Sequence, residues 1–250
     1  MRLLPFLKID KNMNKIGIIG YGEIGSSLHN VYKEFEYDVK IIDPFIGLND
    51  DLSNCDLLNI CIPFVDGFIE VVNEYIDLLN PDLIVIHSTI EPGTTMKING
   101  KVCHSPVRGL HPNLTLGIKT FIKYISSEDI NNSIEYQIHL KSLNIKSFIC
   151  KNTKTSEYAK LLDTTYYGLC IAFHNDVASI CEKEGLDFDE VMTNYNQSYN
   201  DGYISLGKDN VVRPVLYSSG KIGGHCVIPN AKILNKHLKS ELLDGILKYE

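Results

Sequence analysis

Cys226 stands in the octet Gly223-Gly224-His225-Cys226-Val227-Ile228-Pro229-Asn230. A thiol that only fills a core does not need that setting. The glycines let another molecule approach the sulfur, an imidazole lies beside it, and Pro229 fixes the following backbone. Thiols in such places act as nucleophiles when a nearby cation or a helix start favours the thiolate. A second chemistry is written into Gly20-Tyr21-Gly22-Glu23-Ile24-Gly25, which fits G-x-G-x-x-G. The first glycine permits a tight turn, the second lets backbone approach a pyrophosphate, and the third lets a helix pack closely on a strand. The helix that begins there offers N–H groups and a partial positive charge to the phosphates. Asp43, 18 residues after Gly25, is placed to accept hydrogen bonds from ribose hydroxyls. It would repel a 2′-phosphate, and Pro44-Phe45-Ile46 offers no arginine to hold one. The pattern predicts NAD rather than NADP as cofactor. The plainer alternative is a glycine-rich turn in another α/β fold, with Asp43 a solvated strand end.

These residues need elements to carry them. Lys15 to Ile19 reads as a buried strand, followed by a helix over about 23–35. Further strands are expected at 38–42, 57–62 and 83–87, with a helix at Phe68, Val71, Val72, Tyr75, Ile76 and Leu79. Near-continuous apolar strands alternating with helices mean a parallel sheet covered on both faces. Strands at 102–105, 120–125 and 146–150 and a helix at 129–142 follow. From Thr153 the periodicity is helical for over thirty residues, and Asp187 flanks another helix. The stretch 201–230 reads as a long loop, and a last helix covers 230–248. The predicted fold is α/β: a doubly wound Rossmann-type sheet over residues 1–152, then a smaller all-helical domain over 153–250 that carries the cysteine loop. Residues 1–12, ahead of Met13, are expected to lie outside the fold.

Composition narrows the partners. A net charge of −7 with no dense Lys/Arg patch argues against nucleic acid. No apolar run approaches the roughly 20 residues of a membrane span, and the first seven residues lack the features of a signal peptide. The seven cysteines are odd in number and mostly sit inside apolar runs, which suits a reducing cytoplasm. Cys103-His104 has no CxxC or second cluster beside it, so no metal site is expected.

Several further segments occur in a telling order. Ser88-Thr89-Ile90-Glu91-Pro92-Gly93 follows the fourth strand, and Ser105-Pro106-Val107-Arg108 follows a later one. Glu157-Tyr158-Ala159-Lys160-Leu161 lies in the long helix, and the cysteine octet closes the set. With the glycine fingerprint, the order resembles the UDP-glucose/GDP-mannose dehydrogenase family, and especially its UDP-N-acetylmannosamine dehydrogenase branch, over about residues 14–235. The resemblance implies oxidation of an alcohol of a sugar or nucleotide sugar to a carboxylate with two NAD. Cys226 would capture the aldehyde as a thiohemiacetal that becomes a thioester. Lys160 matches the lysine that stabilises the oxyanion, and Thr89 the threonine beside the nicotinamide and the catalytic water. Pro63 joins the cofactor contacts. Arg108, His111, Thr164, Gly224, His225 and Asn230 are the candidate substrate contacts. The long helix near 155–185 would build a homodimer.

Three positions depart from the family pattern. Val107 replaces a glutamate, Thr164 an asparagine and Asn230 an aspartate. Valine cannot carry a proton, and asparagine is no base at neutral pH. Loss of one such group commonly costs about 10²–10⁴ in rate. His111 is a substitute base on the same loop as Val107. The family's further nucleotide-gripping domain is expected to be missing, since 24 residues follow Cys226. Two alternatives follow: a single-step β-hydroxyacid-type dehydrogenase with Lys160 as general base, and a catalytically degenerate NAD-binding dimer. On the residues alone, Lys160 also fits a solvated helix lysine paired with Glu157. His29, His139 and His237 read as ordinary surface or helix histidines, while His87 and His104 sit near strand ends.

Overall fold

The structure is a computed structural model that describes residues 13–218, 220–223 and 226–250. The expected extension over residues 1–12 lies outside the described residues. The first strand β1 (Ile16–Ile19) leads into helix α1 (Glu23–Glu34), strand β2 (Val39–Asp43), a two-residue strand β3 (Leu48–Asn49) and strand β4 (Leu57–Ile60). Helix α2 (Phe68–Leu79), strand β5 (Leu83–Ile86) and strand β6 (Val102–His104) follow. The sheet order is β3-β2-β1-β4-β5-β6, parallel throughout except for β3.

The apolar strand sequences are explained by two cores. Ile16, Ile18, Leu57, Leu83 and Val85 pack with Leu28, Val31 and Tyr32 of α1 on one face. Ile19, Leu58, Ile60, Ile84 and Ile86 pack with Phe68, Val72, Ile76 and Leu79 of α2 on the other. Neighbouring strand residues thus serve opposite faces. Each fully buried aliphatic side chain contributes about 1.5–3 kcal/mol.

After β6 come helix α3 (Leu114–Thr120), strand β7 (Lys123–Ile125), helix α4 (Ile130–Ser142) and strand β8 (Ser147–Ile149). Strands β7 and β8 form a second, two-stranded parallel sheet. Helix α3 is a correction to the sequence reading. Its N-cap Asn113 accepts from the Leu116 N–H, and the helix takes up the start of the strand expected at 120–125.

Helix α5 (Thr153–Glu184) is 32 residues long. The chain divides into two compact units inside it, one through Lys160 and one from Leu161. The second unit is helical: the rest of α5, a π-helical turn at Asp189–Thr193, α6 (Asn194–Ser205), α7 (Val227–Leu238) and α8 (Glu241–Leu247). The loop expected over 201–230 is therefore shorter at both ends. The single helix expected over 230–248 is two, broken where Lys239 adopts a left-handed φ of 44° and Ser240 caps α8. Pro229 does not delay α7, because a proline in the first turn loses no intrahelical bond. Gly168 lets α5 approach α7 and α8: a Cβ there would lie 2.5 Å from Val227 Cγ1 and 3.4 Å from Ile246.

Candidate active site

The strand order of the main sheet reverses between β1 and β4, which opens a crevice at their carboxyl ends. The ladder runs on past both strands, with Gly20 N donating to Ile42 O at 2.9 Å and Cys61 N to Ile19 O at 2.8 Å. Gly20 turns with a φ of 87°, and a Cβ there would meet Ile62 at 2.9 Å. A Cβ on Gly25 would stand 2.0 Å from Gly20 O, so only glycine lets α1 start this close to β1. At Gly22, the N-cap of α1, a Cβ would meet nothing within 4 Å. The loop is closed where it must pack and open where a phosphate would approach. Tyr21 and Ile24 are half-buried around it, and Tyr21 Oη bonds His29 Nδ1 at 2.6 Å. Pro63 lies exposed three residues past the end of β4.

Asp43 is tied to this loop. Its Oδ2 accepts from Tyr21 N at 2.7 Å and its Oδ1 from Phe45 N at 3.1 Å. The carboxylate thereby joins the end of β2 to the glycine turn, where an adenosine ribose would lie. Glu23 opens α1, and its Oε1 pairs with His111 Nδ1 at 2.6 Å. That contact brings the loop after β6 against the phosphate end of the crevice. It also draws His111 to a carboxylate on the cofactor side. These features fit a dinucleotide: an open glycine at a helix start and an acid at the second strand end.

A second group of residues is built on the loop past β5 that begins at Thr89, which is half-buried. Glu157, wholly buried in the first turns of α5, fixes the loop that Thr89 begins. Its Oε2 accepts from Gly93 N at 2.6 Å, and its Oε1 from Thr95 N at 2.9 Å and Thr95 Oγ1 at 2.6 Å. The carboxylate is used by the loop, a role beyond the pairing with Lys160 that the sequence suggested. Lys160 lies three residues further along the helix and is half-buried. Its charge acts on His104 and Lys123, so it shares the region of the β5 and β6 ends.

Below these ends lies a buried polar web. His104 Nε2 donates to Ser88 O at 3.2 Å, and Ser156 Oγ meets His104 Nδ1 at 2.6 Å. Burial pulls His104 down to about 3, with Lys123 and Lys160 adding to the effect, so the ring is neutral. His87 Nε2 meets Asn59 Oδ1 at 2.9 Å, and the Asn59 amide donates to Gly17 O at 3.1 Å. Burial and Lys123 hold His87 well below its ordinary value. Both histidines near strand ends are thus structural. His139 is a histidine of helix α4, 5% exposed, and bonds Tyr32 Oη at 3.1 Å. Lys123 was not singled out from sequence, since a lysine inside a three-residue strand carries no motif, and Glu157 was read there only as a motif residue and a partner for Lys160.

Arg108 is half-buried, with Cζ 5.4 Å from the Tyr124 ring and 5.6 Å from that of Phe121. Val107 is 5% exposed and belongs to the core that includes Cys61 and Val85. Within the second unit, Cys226 is half-buried at the N-cap of α7, and its carbonyl accepts from Asn230 N at 3.0 Å. The residue opens the helix, but its thiol caps none of the first-turn N–H groups. Asn230 is buried one turn later and Thr164 is half-buried in α5. Gly224 and His225 lie outside the described residues.

Residues 154–246 match the central domain of the UDP-glucose/GDP-mannose dehydrogenase family. A UDP-N-acetyl-D-mannosamine dehydrogenase of Methanococcus vannielii is 27% identical over 216 residues, 82% of this chain and 46% of the relative. One of Methanocaldococcus jannaschii is 27% identical over 187 residues, 71% of this chain and 39% of the relative. The chain spans about half the length of the relatives it matches. Among solved structures, a UDP-D-ManNAc dehydrogenase from Pyrococcus horikoshii has a TM-score of 0.75 at 18% identity, covering 94% of this chain and 68% of its own. A 3-hydroxyisobutyrate dehydrogenase of Mycobacterium tuberculosis has a TM-score of 0.66 at 15% identity, covering 95% of this chain and 92% of its own. Both share the Rossmann-type fold.

Proposed function

We propose that this chain, whose residues 154–246 match the central domain of the UDP-glucose/GDP-mannose dehydrogenase family, is an NAD-dependent dehydrogenase acting on an alcohol of a sugar or nucleotide sugar. The observation that carries this reading is the glycine turn, closed against β1 at Gly25, open at Gly22, and joined by Asp43 to the end of β2. Gly20 to Gly25 would hold the pyrophosphate, Asp43 the ribose, and Pro63 and Thr89 the nicotinamide side. The bound dinucleotide supplies a hydride acceptor.

Lys160 is assigned to the substrate oxygen. An ammonium there stabilises the alkoxide as the C–H bond breaks, and the hydroxyl proton leaves to solvent or a base. Cys226 is assigned to the resulting aldehyde. Its thiolate adds to the carbonyl carbon and forms a thiohemiacetal; a second hydride, lost to a second NAD exchanged for the first NADH, would leave a thioester. Water then releases the carboxylate and the thiol. Arg108, His111, Thr164, Gly224, His225 and Asn230 are the proposed substrate contacts. Val107 favours a second reading, in which the reaction stops after one hydride. The side chain there is apolar and packed into the core, so it offers no carboxylate for the later steps.

Along α5, Leu162, Tyr166, Phe173 and Ile180 are exposed, the last three at seven-residue spacing. That stripe supports a homodimer through α5. All seven cysteines are thiols, in keeping with the cytoplasm as the proposed compartment. Among the described residues no helix is long and apolar enough to cross a membrane. Screening NAD reduction against nucleotide sugars and small hydroxy acids, with product analysis, tests the function. Two NADH and an acid support the full sequence; one NADH and a carbonyl compound support the single step.

A further inference from the structure

Glu23 is the first residue of α1 and carries the one charged side chain of the glycine fingerprint. The N-cap before it is Gly22, which brings no side-chain hydrogen bond to the first turn. Backbone N–H groups of a first turn find no acceptor inside their own helix. A carboxylate on that turn is drawn to them and to the partial positive charge beside them. A phosphate is drawn to the same place for the same reason. Glu23 and the pyrophosphate of a dinucleotide are therefore competitors for one helix start, and as like charges they repel.

The Glu23 carboxylate is instead turned to the loop after β6. Its Oε1 lies 2.6 Å from Nδ1 of His111, two residues before Asn113, the N-cap of α3. An ionised carboxylate has no hydrogen to give, so Nδ1–H donates, whether the ring is an imidazolium or the neutral Nδ1–H tautomer. The two side chains are 45% and 38% exposed. A pair this exposed adds little to stability, so its main consequence is where it leaves the carboxylate.

We propose that His111 is a positioning residue that holds the Glu23 carboxylate off the N-terminus of α1 and so leaves that helix start to the cofactor pyrophosphate. The inference rests on the proposed NAD site. It gives His111 a task on the cofactor side in addition to the substrate contact assigned above. It also accounts for an acid inside a turn that must accept an anion: the acid is tolerated there because a partner 88 residues away in the chain holds it aside.

Calorimetric titration of the full chain with NAD, and separately with ADP, which carries the same pyrophosphate, tests this. His111→Ala releases Glu23 toward the helix start and should weaken both probes by about tenfold. Adding Glu23→Gln to His111→Ala removes the competing charge and should bring both back to within about threefold of the wild type. His111→Gln keeps an N–H donor for Glu23 and should also stay within about threefold. Wild-type affinity in His111→Ala overturns the proposal. A double variant that stays weak overturns it too, because the loss then comes from the loop and not from the carboxylate. His111→Gln as weak as His111→Ala has the same force. A wild type that binds ADP with this pattern of variants but does not bind NAD defeats the proposed function alone. NAD binding without the pattern defeats the inference alone, and a wild type that binds neither probe defeats both.

Discussion

Glu157 in α5 grips Thr95 twice, accepting its backbone N–H at 2.9 Å and its hydroxyl at 2.6 Å through the same oxygen. The other oxygen holds Gly93 N. The loop that Thr89 begins is thus fixed to the helix that carries Lys160. A buried carboxylate with three donors is costly to disturb, because any donor left unpaired pays its desolvation in full. Glu157→Gln turns one acceptor oxygen into an NH₂ donor and should destabilise the fold by about 2 kcal/mol, read from urea unfolding. It should also lower any NAD-dependent turnover.

The glycine turn separates packing from binding. Gly25→Ala drives a Cβ to 2.0 Å from Gly20 O, a backbone clash that should cost about 3 kcal/mol. Gly22→Ala meets no atom within 4 Å and should cost less than about 1 kcal/mol. It should nevertheless weaken NAD by about tenfold or more, since the new methyl group stands where backbone approaches the pyrophosphate. Calorimetric titration with NAD beside thermal unfolding checks both.

How much of this was readable beforehand depends on the length of the signal. Strands such as Leu83–Ile86 and the α1 start were legible because continuous apolar runs and spaced glycines leave few alternatives. Helix α3 was missed: seven residues with a weak Asn113 cap carry too little periodicity to outvote the neighbouring apolar run. Lys123 was invisible for a different reason. A lysine is ordinarily exposed, and only the fold reveals that its polar neighbours lie 17, 18 and 36 residues away. Glu157 was visible as a residue but not as a clamp, since its partners are more than sixty residues distant in the chain.

Stability should rise with pH above neutrality because of Lys123. Its pKa is about 7 when folded against an ordinary 10.5, so between those values the unfolded chain binds more protons. The slope is then positive, at most about 1.4 kcal/mol per pH unit from this group. Below pH 7 the penalty is fully present. Burial pushes the thiols of Cys55, Cys61 and Cys103 up to about 12. They oppose the rise once unfolded thiols ionise, above about pH 8.5. Unfolding midpoints from pH 7 to 8.5 should increase in the wild type, and Lys123→Met should lack that increment.

Thiol labelling should be selective. Cys55, Cys61, Cys103, Cys150 and Cys181 are buried, whereas Cys170 and Cys226 are half-buried. A thiol reagent should show its fast phase at Cys226, lost in Cys226→Ser and slowed by bound substrate. Equal rates at Cys170 and Cys226 would count against a special role for the latter.

The proposed NAD preference rests on Asp43. Its carboxylate repels a 2′-phosphate, so NADP should bind at least about a hundredfold more weakly than NAD. Asp43→Ser should narrow that gap while loosening the Tyr21 turn that the carboxylate anchors. Competition binding of the two cofactors to both proteins measures it.

The central claim is tested most directly by counting NADH formed per sugar alcohol consumed, in the wild type and in Cys226→Ser. The account predicts two NADH per acid in the wild type, and no acid from Cys226→Ser. Unchanged acid production by Cys226→Ser would contradict it.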